Sequence, residues 1–243
     1  MPEIIPAILP EDINDLREHL VLVRGVALWV QIDITDGEFV PDATWPYVND
    51  ADQLFQRIAA EEEALPYWQD FQFEIDLMVH HAERVVLDWV KAGARRVIPH
   101  VESDSDIATI IADLREISRD KDSLAYTEIG VALNNGTPLE EATQWVAETD
   151  EEDGIDFIQC MGIERIGYQG QEFDERVLEN VSELRRRYPE MPISVDGSVN
   201  LDTAGELVEA GATRLVAGSA IFESHDVHTA IEQLKSVTIE GTE

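Results

Sequence analysis

The sequence predicts an α/β protein folded as a single (β/α)8 TIM barrel. Three observations lead there. Short apolar runs alternate with amphipathic helical patterns, the alternation repeats eight times, and 243 residues is the length of one barrel. A doubly wound open sheet competes, but it seldom reaches eight regular units. The pattern fills residues 1–235 as one domain, without linker or low-complexity segment, and residues 236–243 read as a frayed C-terminal tail.

The units follow in order. Ile4–Leu9 is the first apolar run, and residues 11–23 carry Ile13, Leu16, Leu20 and Val23 at helical spacing before Gly25 stops them. Ala27–Asp33 is the second strand, and residues 49–63 are its helix, with an acidic, surface-like end. Phe71–Met78 is the third, backed by Ala82–Ala92 and closed by Gly93; Arg96–His100 and Asp104–Arg119 make the fourth unit. Tyr126–Leu133 precedes a helix over Pro138–Glu148, where proline suits the first turn. Asp156–Met161 pairs with a helix over Phe173–Tyr188, and Pro192–Asp196 with Leu201–Ala210, stopped at Gly211. Thr213–Ala217 and a helix over Val227–Leu234 complete the set.

Composition narrows the function. The formal net charge is -34, from 51 acidic residues against 17 basic ones. Such a surface repels nucleic acid and anionic membranes, which excludes both as partners. Only three of the basic residues are lysines, and this depletion points to adaptation to high salt, where self-repulsion is screened. No apolar run approaches the roughly 18–20 residues of a spanning helix. The start, Met1-Pro2-Glu3-Ile4, lacks the basic beginning of a signal peptide, so a cytoplasmic protein is expected. The single cysteine, Cys160, rules out an internal disulfide and reads as a small core residue.

In such a barrel the carboxyl ends of the strands form one rim, where barrel enzymes keep their chemistry. The residues expected there are Ala7, Gln31, Asp33, Asp76, Met78, His100, Asn134, Met161, Asp196 and Gly218. Three carboxylates in one concave surface are costly unless paired, metal-bound or hydrogen-bonded. Asp33 or Asp196 alone could be a turn or cap residue. Asp76, inside the apolar run Ile75-Asp76-Leu77-Met78-Val79, has no such explanation, and the three together read as a site.

Phosphate recognition needs backbone N–H groups from glycine-rich turns. Three late loops qualify: Gly167-Tyr168-Gln169-Gly170-Gln171, Gly197-Ser198 and Gly218-Ser219. Other residues take plainer readings. His80-His81 opens a helix in solvent, and His225 and His228 are surface positions. Trp29, Trp68, Trp89 and Trp145 suit helix–sheet packing, and Arg185-Arg186-Arg187 is a basic patch at a helix terminus.

Over nearly its whole length the chain resembles ribulose-phosphate 3-epimerase, a ribulose-phosphate-binding barrel. The residues that carry the resemblance run from Asp33-Ile34-Thr35-Asp36-Gly37-Glu38-Phe39-Val40-Pro41 through Leu77-Met78-Val79, Lys91-Ala92-Gly93-Ala94, His100-Val101-Glu102 and Gly130-Val131-Ala132-Leu133-Asn134. They continue in Gly170-Gln171-Glu172-Phe173, Val195-Asp196-Gly197 and Ala217-Gly218-Ser219-Ala220-Ile221-Phe222. The resemblance implies an epimerase of pentose phosphates and, often, a homo-oligomer. One aspartate abstracts the proton beside the ketone, the other returns one to the opposite face, and a divalent metal stabilises the enediolate. Asp33 and Asp196 match the family's acid–base aspartates, which also ligate the metal. Gly170, Gly197, Ser198, Gly218 and Ser219 fall at its phosphate site, and Ala7, Met78, His100 and Met161 line the substrate pocket.

The departures change the metal chemistry. Where the family has two histidine ligands, this chain has Gln31 and Asp76; a substrate-holding serine is Ala7, and a methionine is Thr35. A glycine pair has become Gln169-Gly170, and Glu164-Arg165 replaces an Asn-Pro in a loop one residue longer. Gln31, Asp33, Asp76 and Asp196 form an all-oxygen set, which favours magnesium or manganese (or calcium) over zinc or iron. Two alternatives stay open: a related phosphate-sugar lyase or decarboxylase, and an inactive sugar-phosphate binder that has shed its metal. Lysine Schiff-base chemistry is disfavoured, since none of Lys91, Lys121 and Lys235 maps to a strand end.

Overall fold

A computed structural model describes residues 1–48, 53–119, 123, 125–149, 153–167 and 170–240. Eight parallel strands close a barrel in chain order. They are β1 (Glu3–Ile8), β2 (Trp29–Thr35), β3 (Gln72–Met78), β4 (Ala94–Pro99), β5 (Glu128–Leu133), β6 (Phe157–Met161), β7 (Ile193–Asp196) and β8 (Arg214–Ala217). The helices around them are α1 (Ile13–Val23), α2 (Gln53–Ala59), α3 (Val86–Lys91), α4 (Ile107–Ile117), α5 (Glu140–Thr143), α6 (Arg176–Arg187), α7 (Ala204–Ala210), α8 (Ser219–Phe222) and α9 (Val227–Glu240). The order is the expected one. Among the described residues no helix is long and apolar enough to cross a membrane.

The alternation of each strand decides which side chains meet. In β2, Val30, Ile32 and Ile34 pack outward under the helices, whereas Gln31 and Asp33 share the inward face. In β3, Phe73, Ile75 and Leu77 do the same around Asp76. Cys160 lies on the outward, fully buried face of β6, in the main core.

Local chemistry explains where the elements differ from expectation. The helix expected from Glu11 begins at Ile13, because the Asp12 carboxylate caps the N–H groups of Asn14 and Asp15. The helix expected over Pro138–Glu148 ends at Thr143. Its continuation tightens into i→i−3 bonds, and the Trp145 carbonyl is taken by the returning Ile155 N–H. The expected third helix is split: a single 3-10 turn over Ala82–Arg84 precedes α3. The short α8 is additional to the eight expected helices. The tail expected to fray from Ser236 continues as helix to Glu240. The first residues of the helix expected over 49–63, Tyr168, Gln169, Lys121 and residues 241–243 lie outside the described residues.

Two surface readings are corrected. The three arginines do occupy the last turn of α6 as expected, but they are paired: Arg185 donates through Nε and Nη2 to the Gly211 carbonyl, at 3.1 and 2.9 Å. Arg186 and Arg187 pair with Glu183, and Arg187 also with Glu140. Trp68 is 58% exposed and Trp29 packs its ring on the Arg96 guanidinium, 3.5 Å away, so neither belongs to helix–sheet packing.

Arg96 belongs to a plug at the amino end of the barrel. It donates to Glu3, Glu74 and Glu128, and Arg214 donates to Glu128 while lying over the Phe157 ring. Burial pushes the Glu74 carboxyl up, against the pull of Arg96. Five charges from five strands thus pair below the carboxyl-end rim of the barrel, with Glu74 Oε1 and Arg214 Nη1 left buried without a hydrogen-bond partner.

Candidate active site

Asp33, Asp76 and Asp196 converge, each offering an oxygen within 4.8 Å of the others. Asp33 and Asp76 are register partners on β2 and β3, and Asp196 comes from the end of β7. Burial, followed by the charges of Asp196 and Asp76, holds the Asp33 carboxyl far above its usual range. Burial and the charge of Asp76 push Asp196 up to about 7.

Gln31 lies among them in an unexpected role. Its amide nitrogen, rather than its oxygen, faces the aspartates, 2.7 Å from Asp33 Oδ1 and 2.7 Å from Asp196 Oδ2. Where the sequence pointed to an oxygen ligand, the amide here donates to both carboxylates, and its Oε1 is buried without a hydrogen-bond partner.

Asp76 is held from behind. His100 Nε2 sits 3.0 Å from its Oδ1, and Gln159 Nε2 donates to Oδ2 at 3.0 Å. Burial works against charging His100, but Asp76 and Glu102 outweigh it and lift its pKa to about 10. Glu102 is anchored in turn by the Asn134 N–H and the Thr137 hydroxyl. His100 is fully buried behind Asp76 and beside Phe39, so the expectation that it lines the substrate pocket is corrected.

The pocket above is a recess of about 550 Å3 including its open mouth. Asp33 and Asp196 are its acidic lining, and Ala7, Leu9, Met78, Met161, Ile163 and Val216 its apolar wall. Gly170, Gly197, Ser198, Gly218 and Ser219 line the same recess. Gly197 and Ser198 have φ of 101° and 53°, so the turn after β7 carries two consecutive residues at positive φ. The Ser198 hydroxyl is already given to the Gln171 carbonyl.

Gly162 couples the loops. Its N–H donates to the Asp196 carbonyl at 2.6 Å, and a Cβ there would meet the Gly197 carbonyl oxygen at 2.2 Å. Asp36 is structural: it accepts the N–H groups of Glu38, Phe39 and His80 and so shapes the loop after β2. Burial pushes the Cys160 thiol up to about 12, which makes it inert. Lys91 and Lys235 lie on α3 and α9, away from the rim.

Sequence reasoning missed Gln159 and Gly162. The signal for Gln159 was available: a lone amide in the apolar run Phe157-Ile158-Gln159-Cys160-Met161, two residues from a rim position, as Gln31 is from Asp33.

The chain is similar to the ribulose-phosphate 3-epimerase of Candida glabrata, 31% identical with 96% of this chain and 91% of the relative covered. It is also similar to the chloroplastic ribulose-5-phosphate-3-epimerase of Arabidopsis thaliana, 33% identical over 95% of this chain and 75% of that one. Among solved structures, KGPDC from Streptococcus mutans shares the fold, with a TM-score of 0.67 and 18% identity over 100% of this chain and 100% of that one. The ribulose-phosphate 3 epimerase family model matches residues 3–222, and the chain belongs to that family.

Proposed function

We propose that this chain is a pentose-phosphate 3-epimerase in which Asp33 and Asp196 are the paired acid–base groups. One observation carries the reading: of the three clustered aspartates, only Asp33 and Asp196 reach the pocket, and they reach it from different strands. One carboxylate takes the proton from the carbon beside the ketone, leaving an enediolate. The other carboxylic acid gives its proton to the opposite face of the same carbon, and solvent restores both groups. A carboxyl held near 7 can both take and release a proton at neutral pH.

The substrate's phosphate belongs at the far side of the recess, where Gly170, Ser198 and Ser219 adjoin. Backbone N–H groups of the turn at Gly197 and Ser198 supply local positive potential for the anion in this reading, despite the acidic surface.

Asp33, Asp76 and Asp196 also fit a divalent cation, since two buried carboxylates and one half-buried one face a single imidazole among the described residues. Oxygen donors suit magnesium or manganese better than zinc or iron. When bound, such an ion would polarise the substrate carbonyl.

The test is proton NMR of D-ribulose 5-phosphate in deuterated buffer at high potassium chloride. Deuterium should enter at the carbon beside the ketone as xylulose 5-phosphate appears. Asp33→Asn and Asp196→Asn should each lower turnover by about 10³-fold or more. Full turnover in either variant would remove that residue from the mechanism, and a shortened carbon chain would point to a lyase.

A further inference from the structure

Asp76 is held differently from the other two aspartates. His100 and Gln159 each take one of its oxygens at 3.0 Å, and all three side chains are fully buried. Neither holding residue is loose. Glu102 and the Phe39 ring brace His100, and Gln159 projects from the middle of β6. Two donors on the two oxygens of a carboxylate fix its plane as well as its position.

Gln159 has a second peculiarity. Its Oε1 is buried without a partner, and so is Oγ of Ser194, its register partner on β7. An apolar side chain would fill this place without leaving an oxygen unsatisfied. What the amide adds is its N–H on Asp76.

Carboxylate freedom matters to cation choice. Calcium takes six to eight oxygens in flexible geometry and often uses both oxygens of one carboxylate, whereas magnesium demands a strict octahedron with single oxygens. A carboxylate that cannot rotate offers single lone pairs in set directions.

We propose that Gln159 is a positioning residue that sets the cation selectivity of this centre, favouring small ions over calcium by fixing the plane of Asp76. The inference rests on the reading of the triad as a hard-cation centre.

The experiment is calorimetric titration of wild type and Gln159→Met with manganese, magnesium and calcium chlorides, with melting temperatures of the ion-free proteins measured alongside. Methionine keeps the bulk and removes both the donor and the unpaired oxygen, so the fold should hold. Wild type should bind manganese more tightly than calcium, and binding should be lost in Asp76→Asn. In Gln159→Met the calcium-to-manganese affinity ratio should rise by about tenfold. An unchanged ratio in a variant that still binds manganese overturns the role of Gln159 and leaves the cation centre standing. Binding of none of the three ions by folded wild type overturns the centre itself. His100→Asn frees the other oxygen of Asp76 and should shift the ratio the same way; it carries the test if Gln159→Met does not fold.

Discussion

A single amide nitrogen, Gln31 Nε2, joins Asp33 to Asp196, 2.7 Å from each. The two acid–base groups of the proposed epimerase are therefore mechanically coupled before substrate arrives. Gln31→Leu keeps the buried volume but unties them. Turnover of D-ribulose 5-phosphate should fall by about 10²-fold, with a much smaller change in KM, because the lost hydrogen bonds orient the reacting groups rather than bind substrate. Steady-state kinetics separates the two effects.

The ion-free protein should lose stability as pH rises. Burial and Asp76 raise Asp196 to about 7 in the folded state, so between about pH 4 and 7 the folded chain holds a proton that the unfolded chain releases. Stability from this group is full below the unfolded value and falls as pH climbs through 7. His100, lifted to about 10, acts in the same direction at higher pH: its contribution is full below about 6.5 and is lost towards 10. Melting temperatures at pH 5 and pH 8 should differ with the lower pH more stable, and Asp196→Asn should shrink the difference.

Gly162→Ala should destabilise the barrel by about 1–3 kcal/mol, since its Cβ would overlap the Gly197 carbonyl oxygen. The added methyl can be relieved only by moving the end of β7, so turnover should fall with stability. Denaturant unfolding and kinetics on the same preparation check both.

Glu223 stands beside Ser219 and Ala220, at the end of the recess proposed to take the phosphate. Glu223→Gln should lower KM for a phosphorylated sugar by about 2- to 5-fold at low salt, and molar potassium chloride should erase the gain by screening. With a formal net charge of -34, the wild-type melting temperature should itself climb with added salt.

The barrel is legible in the sequence because each strand announces itself by apolar alternation and each helix by its period. Asp33, Asp76 and Asp196 are legible as a site because carboxylates inside apolar runs need a reason. Helix lengths are less so: nothing in residues 138–148 foretells that Ile155 returns to take the Trp145 carbonyl. Contacts across the barrel are hidden altogether. Gln31 reaches Asp196 over 165 positions and Gln159 reaches Asp76 over 83, so neither periodicity nor spacing along the chain can display them. The direction of the Gln31 amide is a product of the same closure.

The arginine–glutamate plug at the amino end makes the barrel a blind well. Arg96 and Arg214, stacked on Trp29 and Phe157, stop the shaft from below, which leaves the mouth beside Gly170 and Ser219 as the doorway. Incoming sugar and departing epimer must pass through it in turn, and each turnover then ends by emptying the well before the next molecule can enter.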